Sequence, residues 1–161
     1  MVQGGLKRVL GRPGHAALRR GRVSVPHGAY LVTAVTHRRA PWFLEWRAAR
    51  AASRCFNDQA IVGEARMLAW VLMPDHAHWL IQLGEAAALE SCIGRLKSAS
   101  AREVNRACRR RGRVWGAAFH DHALRADESV AMAARYLVAN PLRAGLVERI
   151  GDYPYWNAVW L

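Results

Sequence analysis

The apolar positions along the chain predict a domain that mixes strands and helices. Short runs rich in β-branched and aromatic residues predict four strands, at 30–36, 69–73, 76–83 and 114–125. Longer stretches with apolar residues at helical spacing predict three helices, at 44–58, 86–108 and 128–140. This β-α-β-β-α-β-α order predicts an α+β ferredoxin-like sandwich: a four-stranded antiparallel sheet with helices on one face and an additional C-terminal helix.

The pattern is sharpest at a hairpin whose turn contains Pro74 and Asp75, two residues that favour turns. Side chains alternate between faces along a strand, so His76 and His78 are expected to point the same way. The opposite face is expected to carry Ala77, Trp79 and Ile81. Two imidazoles one strand step apart on a rigid sheet can share one divalent cation. A pair of histidines that merely sit near a surface is the open alternative.

The last predicted helix has one apolar stripe and two polar residues at its edge. Asp127 is the predicted N-cap, and Pro141 is expected to end the helix. Tyr136 and Asn140 lie four residues apart and are therefore neighbours on one helical face. An interfacial tyrosine followed by an asparagine that only ends the helix is the structural alternative. The core stripe consists of Val130, Ala133, Ala134, Leu137 and Val138.

The charge balance points to a polyanionic partner. The chain has 24 Lys and Arg residues against 12 Asp and Glu, a formal net charge of +12, and its only lysines are Lys7 and Lys97. Arginine makes forked contacts with phosphate, so this bias favours nucleic acid. A GC-rich coding sequence, which raises Arg and Ala together, or attachment to a membrane surface would explain the same composition.

The basic residues concentrate in a few places. Residues 1–22 form a basic arm without acidic residues, and five arginines fall within 106–113 at the end of the second helix. Positive charges at a helix C-terminus interact favourably with the helix dipole. Five arginines exceed what this stabilisation requires, so we predict that this turn contacts phosphate. The residues predicted to bind DNA are Arg19, Arg20, Arg22, Arg38, Arg39, Lys97, Arg102, Arg109, Arg110, Arg111, Arg113 and Arg125.

Length and cysteine content limit the number of domains and the kind of cellular compartment that we expect. At 161 residues the chain can bury a proper core, and one folded domain is expected over residues 23–161. Cys55, Cys92 and Cys108 are widely spaced and indicate no disulfide framework. The chain has no apolar signal segment and no run of apolar residues long enough to span a membrane, so we expect a cytoplasmic protein. An organellar transit peptide could resemble the basic arm.

The C-terminal segment 153–160 contains four aromatic residues. Packing over the third helix is the expected role, and stacking against nucleic-acid bases is the alternative.

Two motifs together resemble a known family. Pro74-Asp75-His76-Ala77-His78 is similar to the His-hydrophobic-His signature of HUH endonucleases. The runs 119–125 (FHDHALR) and 135–147 (RYLVANPLRAGLV) resemble REP-associated tyrosine transposases, which belong to the one-tyrosine, IS200/IS605-like superfamily. The resemblance extends over about residues 30–156.

The resemblance implies a function and a site. It implies that Tyr136 is the nucleophile and that His76, His78 and Asn140 hold a divalent metal, Mg²⁺ or Mn²⁺. It also implies cleavage of single-stranded DNA beside hairpins, through a 5′-phosphotyrosine that leaves a 3′-hydroxyl. A monomer and a homodimer are both compatible with it. His120 and His122 fall in a family motif without an assigned role, and they could instead order the fourth strand.

Two other functions remain open at this point. The HxH motif also occurs in hydrolytic metalloenzymes such as phosphodiesterases. These enzymes need further His and Asp ligands shortly after the motif, whereas in this chain His78 is followed by Trp-Leu-Ile-Gln-Leu. The chain could also be a non-catalytic nucleic-acid-binding module derived from a transposase. Formation of a covalent DNA adduct distinguishes these functions from a strand transferase.

Overall fold

A computed structural model describes residues 23–160 of the chain. The predicted basic arm, with Arg19, Arg20 and Arg22, lies outside the described residues. The strands are β1 (Ala29–Val35), β2 (Arg66–Met73), β3 (His76–Gln82), β4 (His120–Ala123) and β5 (Trp156–Ala158). The helices are α1 (Trp46–Phe56), α2 (Gln59–Val62), α3 (Leu89–Ala107), α4 (Val130–Val138) and α5 (Asn140–Arg143). Short 3₁₀ turns occupy His37–Arg39, Trp42–Leu44 and Ile150–Asp152.

The strands within residues 23–160 form one antiparallel sheet in the order β4-β1-β3-β2-β5. The α+β class is confirmed, but the predicted strand count of four is wrong by one. The additional strand, β5, is three residues long and pairs with β2 at the sheet edge. Its sequence gives no alternating pattern of useful length, so only the pairing with β2 defines it as a strand.

The two faces of the sheet carry different helices. The larger core packs α1 and α3 against the face that contains Val32, Trp79 and Ile81. The smaller core packs α4 against the opposite face, through Leu31, Leu80 and neighbouring residues of β2. The additional helix therefore covers the face that α1 and α3 leave open. The predicted core stripe of α4 is confirmed, because all its members belong to this smaller core.

The predicted fourth strand is too long. Strand pairing in this region covers only His120–Ala123, with an isolated bridge between Thr36 and Trp115 before it. Between these points the carbonyl oxygens of Gly116 and Ala118 accept hydrogen bonds from the Lys97 ammonium group. The segment is apolar because Val114, Trp115 and Phe119 are buried in the larger core, rather than because it forms a continuous strand.

The limits of α4 also differ from the prediction. The side chain of Ser129, not of Asp127, caps the helix by accepting a hydrogen bond from the Met132 amide. The helix ends at Val138, and Asn140 begins the separate short helix α5, with Pro141 in its first turn. Proline is tolerated there because an N–H at that position has no partner within the helix. Pro141 therefore belongs to the start of α5 rather than marking the end of α4.

Candidate active site

The two hairpin histidines lie side by side on the α4 face of the sheet. His76 and His78 are in β3, and Ala77 and Trp79, which alternate with them, face the larger core. The ring centroids of the two histidines are 4.8 Å apart, and the rings are nearly perpendicular. The predicted shared orientation of the pair is confirmed, because the pleat of a regular strand leaves no other arrangement.

His78 is a buried, neutral imidazole. Its exposed fraction is 5%. Burial, together with electrostatic repulsion from the side chains of His76 and Arg143, lowers the pKa of His78 from 6.5 to about 3. Its Nδ1 is 2.8 Å from the hydroxyl oxygen of Thr33, which is paired with it across β1 and β3. When Nδ1–H donates to that hydroxyl, the lone pair of Nε2 is available to a metal ion.

His76 is oriented by a carboxylate. Its Nδ1 lies 2.6 Å from an oxygen of Asp75, and the other oxygen of Asp75 accepts a hydrogen bond of 3.3 Å from Arg39. Burial acts to raise the pKa of Asp75, but the hydrogen bond to His76 and the charges of His76 and Arg39 outweigh it and lower this pKa. A carboxylate on one imidazole nitrogen fixes the ring and directs the other nitrogen outward, as around many metal ligands.

Asp75 was identified from the sequence only as a turn former, and Thr33 not at all. The signal for Asp75 was its position next to His76 in a two-residue turn, where a carboxylate can reach the following ring. Thr33 gave no local signal, because its partner is 45 residues away in the sequence.

Tyr136 lies half-buried at the edge of α4, as its place beside the core stripe predicted. The guanidinium carbon of Arg143 is 3.9 Å from the centroid of the Tyr136 ring, and Arg143 Nη2 donates a hydrogen bond of 2.7 Å to the Tyr136 carbonyl oxygen. The charge of Arg143 also acts on His78. The guanidinium group of Arg143 thus lies against the tyrosine, and its charge helps to lower the pKa of His78.

The other tyrosines of the chain are less suited to attack DNA. Tyr30 is buried, and its hydroxyl accepts a hydrogen bond from Val25 and donates one to Val23. The hydroxyl of Tyr153 donates to the carbonyl oxygen of Leu72, and burial, aided by Tyr155, raises the pKa of Tyr153 to about 12. Both side chains stabilise the fold through these bonds. Tyr155 packs against the larger core and against the ring of Tyr153.

Asn140 stands at the first position of α5, directly after the break in the helix. Its amide nitrogen Nδ2 donates a hydrogen bond of 2.7 Å to the carbonyl oxygen of Leu137. This bond engages the nitrogen of the amide, so the carbonyl oxygen Oδ1 is the atom that remains to bind a cation. The bond also serves the structural role considered for this residue, because it satisfies a carbonyl at the end of α4.

The predicted metal site has two imidazoles and one amide. Within residues 23–160 there is no group of three or more His, Cys, Asp or Glu side chains that could hold a metal ion. The predicted set contains only two such residues, so the metal site stays a prediction that depends on Asn140. The orientation of both rings fits it, because Thr33 and Asp75 occupy Nδ1 in each case and Nε2 is the nitrogen that remains.

The predicted DNA-binding residues fall into two groups. The turn at 37–39 lies beside Asp75, and the main-chain N–H of His37 bonds the carbonyl oxygen of Val114. Arg110 stacks on Trp42 at 3.7 Å and bonds the carbonyl oxygen of Arg113. These contacts bring one group to the end of the sheet where His76 lies. This group, named the basic end from here on, consists of Arg38, Arg39, Arg109, Arg110, Arg111 and Arg113.

The remaining predicted residues lie elsewhere. The Lys97 ammonium is engaged with backbone carbonyls. Arg102 lies exposed on α3. Arg125 follows β4 at the other end of the sheet, with its Nε 3.5 Å from Asp127 and 3.7 Å from Glu128.

The second histidine motif joins β4 to the turn that precedes α4. His122 Nε2 is 3.1 Å and 3.2 Å from the two carboxylate oxygens of Glu128, one of which also accepts a hydrogen bond from the Arg125 amide. His120 pairs with Thr33 across the sheet and therefore lies in the same row as His78. The expectation that this motif orders the fourth strand agrees with the contacts of His122.

The C-terminal aromatic residues pack against the protein. Trp156 and Tyr153 contact the smaller core, which contains the buried face of α4, and Tyr155 contacts the larger one. The predicted packing over α4 is confirmed for Tyr153 and Trp156, whereas Tyr155 packs on the other face of the sheet. Trp160 is exposed.

None of the helices between residues 23 and 160 has the length and apolar character needed to cross a membrane.

Comparisons with known proteins agree with the fold. A solved structure described as a REP-associated tyrosine transposase bound to a REP hairpin superposes with a TM-score of 0.65. It shares 22% sequence identity with this chain, and the match covers 84% of this chain and 79% of that one. At this level of identity the likeness supports the fold alone.

Two sequence relatives carry the same description. A Haemophilus influenzae protein assigned provisionally as a REP-associated tyrosine transposase is 32% identical over 94 residues, which cover 52% of this chain and 53% of that protein. An Escherichia coli K12 REP-associated tyrosine transposase is 26% identical over 87 residues, 54% of this chain and 50% of that protein. The match spans about half the length of each relative.

The family comparison extends over most of the described residues. The family described as "Transposase IS200 like" matches residues 24–138, which include β1, the histidine hairpin and all of α4 with Tyr136. The resemblance expected from the HxH and tyrosine motifs is thereby confirmed. This chain belongs to the IS200-like transposase family.

Proposed function

We propose that the protein is a single-stranded DNA endonuclease and strand transferase that binds hairpin DNA and cleaves it through a 5′-phosphotyrosine at Tyr136. The observation that carries this proposal is the packing of α4, which has Tyr136 at its edge, on the sheet face that bears His76 and His78. We infer that the tyrosine at the edge of this helix and the histidine pair on the sheet beneath it act together as one site.

The chemistry follows from the residues. The phenol oxygen of Tyr136 attacks phosphorus in line, the bond from phosphorus to the 3′ oxygen breaks, and that oxygen takes up a proton as a 3′-hydroxyl. The phosphotyrosine ester conserves the bond energy, so a 3′-hydroxyl can later attack it and rejoin DNA without ATP. A divalent cation held by His76, His78 and Asn140 would neutralise charge on the non-bridging phosphate oxygens.

Mg²⁺ or Mn²⁺ is the proposed metal. Two neutral imidazoles and one amide oxygen form a small set of protein ligands, which leaves coordination positions for phosphate oxygens. Thr33 and Asp75 would act as positioning residues, because each fixes the ring of one histidine. Imidazole also binds Zn²⁺ well, so Zn²⁺ is expected to compete for the site.

The decisive experiment is covalent capture. The protein is incubated with a labelled single strand that contains a hairpin, with either Mn²⁺ or EDTA, and then denatured. We expect a metal-dependent, denaturation-resistant complex in which the label remains on the protein. Free cleavage products without an adduct would indicate a hydrolase, and binding with neither product would indicate a module that only recognises DNA.

The basic end is proposed to contact the phosphates of the DNA. If it and the remaining predicted arginines make about five phosphate contacts, single-strand affinity should fall about a hundredfold when salt is raised from about 50 to about 200 mM. The measurement is fluorescence anisotropy with a labelled hairpin at several salt concentrations. Binding that does not change with salt over this range would contradict the proposal.

Asn140→Ala tests the amide ligand. Loss of Oδ1 should raise the Mn²⁺ concentration needed for half-maximal cleavage about tenfold or more, because it removes one of only three proposed protein ligands and so lowers metal affinity. Hairpin affinity should remain within about twofold, and the loss of the bond to Leu137 should cost about 1 kcal/mol of stability.

Asn140→Asp is the matched control for this experiment. It retains an oxygen at the same position, so it should need less Mn²⁺ than Asn140→Ala. A metal titration that is the same for the alanine variant and the native protein would leave Asn140 with its structural role alone.

A further inference from the structure

Arg143 has a set of contacts that the proposed chemistry does not use. It is the last residue of α5 and is exposed, yet its guanidinium group is held in a defined position above the ring of Tyr136. An exposed arginine on a four-residue helix has many rotamers, and ordering one of them costs conformational entropy. The stacking contact and the hydrogen bond to the Tyr136 carbonyl offset that cost.

The break between α4 and α5 explains why such a contact is useful. Tyr136 is in α4, whereas Asn140 is in α5, and Ala139 lies between them outside both helices. The hydrogen-bond ladder of a single helix therefore does not fix the tyrosine relative to the asparagine. Arg143 connects the two segments, because its backbone belongs to α5 and its side chain lies against Tyr136.

Backbone hydrogen bonds hold α5 itself. The Arg143 amide donates to the carbonyl oxygen of Ala139, and the Ala144 amide donates to that of Asn140. Gly145 follows with φ of 68°, a backbone conformation that glycine adopts at no steric cost and that ends the short helix. The main chain on both sides of Arg143 is thus well defined, which directs its side chain back over α4.

We propose that Arg143 is a positioning residue that holds the Tyr136 ring against α5, so that the nucleophile and Asn140 keep one relative geometry. The planar guanidinium is suited to this role because it stacks on an aromatic face while its N–H groups bind a carbonyl oxygen. A lysine would keep the charge but would lose the flat contact and the forked geometry. This inference rests on the proposed function of Tyr136.

The first test observes the ring directly and needs neither metal nor DNA. The protein is labelled with 3-fluorotyrosine, and the ¹⁹F signal of Tyr136 among the four tyrosines is assigned with Tyr136→Phe. Arg143→Ala should shift the Tyr136 signal and speed exchange between its two ring orientations, while the Tyr30 and Tyr153 signals stay in place. Arg143→Lys should give an intermediate result.

Arg135→Ala is the matched control. Arg135 precedes Tyr136 in α4 and is exposed. Within residues 23–160, its side chain makes one hydrogen bond, to the sulfur of Met132. Loss of Arg135 removes an equal charge from the helix that carries Tyr136 but no contact with the ring, so it should leave the Tyr136 signal unchanged. A Tyr136 signal that is the same in Arg143→Ala and in the native protein would overturn the inference.

The second test separates positioning from binding. In single-turnover cleavage at saturating hairpin, Arg143→Ala should be about fivefold slower than the native protein, the effect expected for an exposed cation on an aromatic ring. Hairpin affinity should stay within about twofold, and Arg143→Lys should recover part of the rate. An equal rate in Arg143→Ala, or a loss of affinity that accounts for the whole effect, would contradict the inference.

The two proposals fail in different ways. If the native protein forms no adduct with any hairpin, the proposed strand transfer fails, and the ¹⁹F comparison alone still decides whether Arg143 fixes the ring. If the adduct forms and Arg143→Ala changes neither the ¹⁹F signal nor the rate, only the role of Arg143 fails.

Discussion

Tyr136→Phe is expected to abolish covalent adduct formation and to lower strand cleavage at least about a thousandfold, because it removes the proposed nucleophile of the proposed covalent mechanism. The substitution deletes one oxygen and retains the ring. The stacking of Arg143 and the core stripe of α4 should therefore persist. Hairpin affinity should remain within about twofold, and the free energy of unfolding within about 0.5 kcal/mol.

The measurement combines denaturing gels for the adduct, single-turnover cleavage, and anisotropy for binding. Tyr155→Phe is the matched control, since it removes a phenol oxygen from a partly buried tyrosine on the other core and should cleave like the native protein. Cleavage retained in Tyr136→Phe would move the nucleophile to another tyrosine, and the buried, engaged hydroxyls of Tyr30 and Tyr153 would then need to be released first.

Acidification of the metal-free protein is expected to lower its free energy of unfolding by about 2 kcal/mol between about pH 8 and pH 5, through His78 alone. In the unfolded chain the pKa of His78 is near 6.5, whereas in the folded protein burial and the neighbouring charges lower it to about 3. Below pH 6.5 the unfolded state therefore binds a proton that the folded state does not. Stability that is fully present above pH 6.5 is lost as the pH falls toward 3.

The carboxylates affect a different pH window. The pKa values of Asp75 and Glu128 are lowered from 3.8 and 4.5, so their contributions to stability are lost only at still lower pH. Denaturant unfolding in EDTA at several pH values above about 5 measures the effect of His78, and His78→Gln should remove most of the slope. NMR of the native protein provides a check that does not depend on this variant: the His78 ring should show no protonation above about pH 5. A ring that titrates near its ordinary pKa would contradict the prediction.

Much of the local arrangement could be predicted because it depends on backbone periodicity. Alternation along β3 places His76 and His78 on one face, and the 3.6-residue period of a helix places Tyr136 beside the apolar stripe of α4. These features require only that each segment adopts its own regular conformation. The antiparallel hairpin follows as well, because two turn-forming residues between apolar runs leave no room for a crossover.

The prediction failed where distant segments decide the local structure. The short edge strand β5 exists because β2 offers an unpaired edge, and the segment before β4 is irregular because Lys97 binds its carbonyl groups. The pattern predicts a helix that ends at Asn140 before Pro141, whereas α4 stops at Val138 and Asn140 belongs to α5. The hydrophobic pattern and secondary-structure propensity of a segment cannot show these differences, because the interactions that decide them come from residues far along the chain.

The sequence by itself determined which residues are proposed to carry the chemistry of this protein: a histidine pair on one strand face, a tyrosine at a helix edge, and an excess of arginine. Only the tertiary structure decided how they are held, with α4 on the sheet face that bears the histidines, Thr33 and Asp75 on their Nδ1 atoms, and Arg143 over Tyr136. The physical reason is the sequence separation over which each kind of interaction acts. Periodicity is a property of neighbours in the chain, whereas burial, hydrogen-bond partners and the lowered pKa of His78 arise from contacts that form only when the whole chain packs.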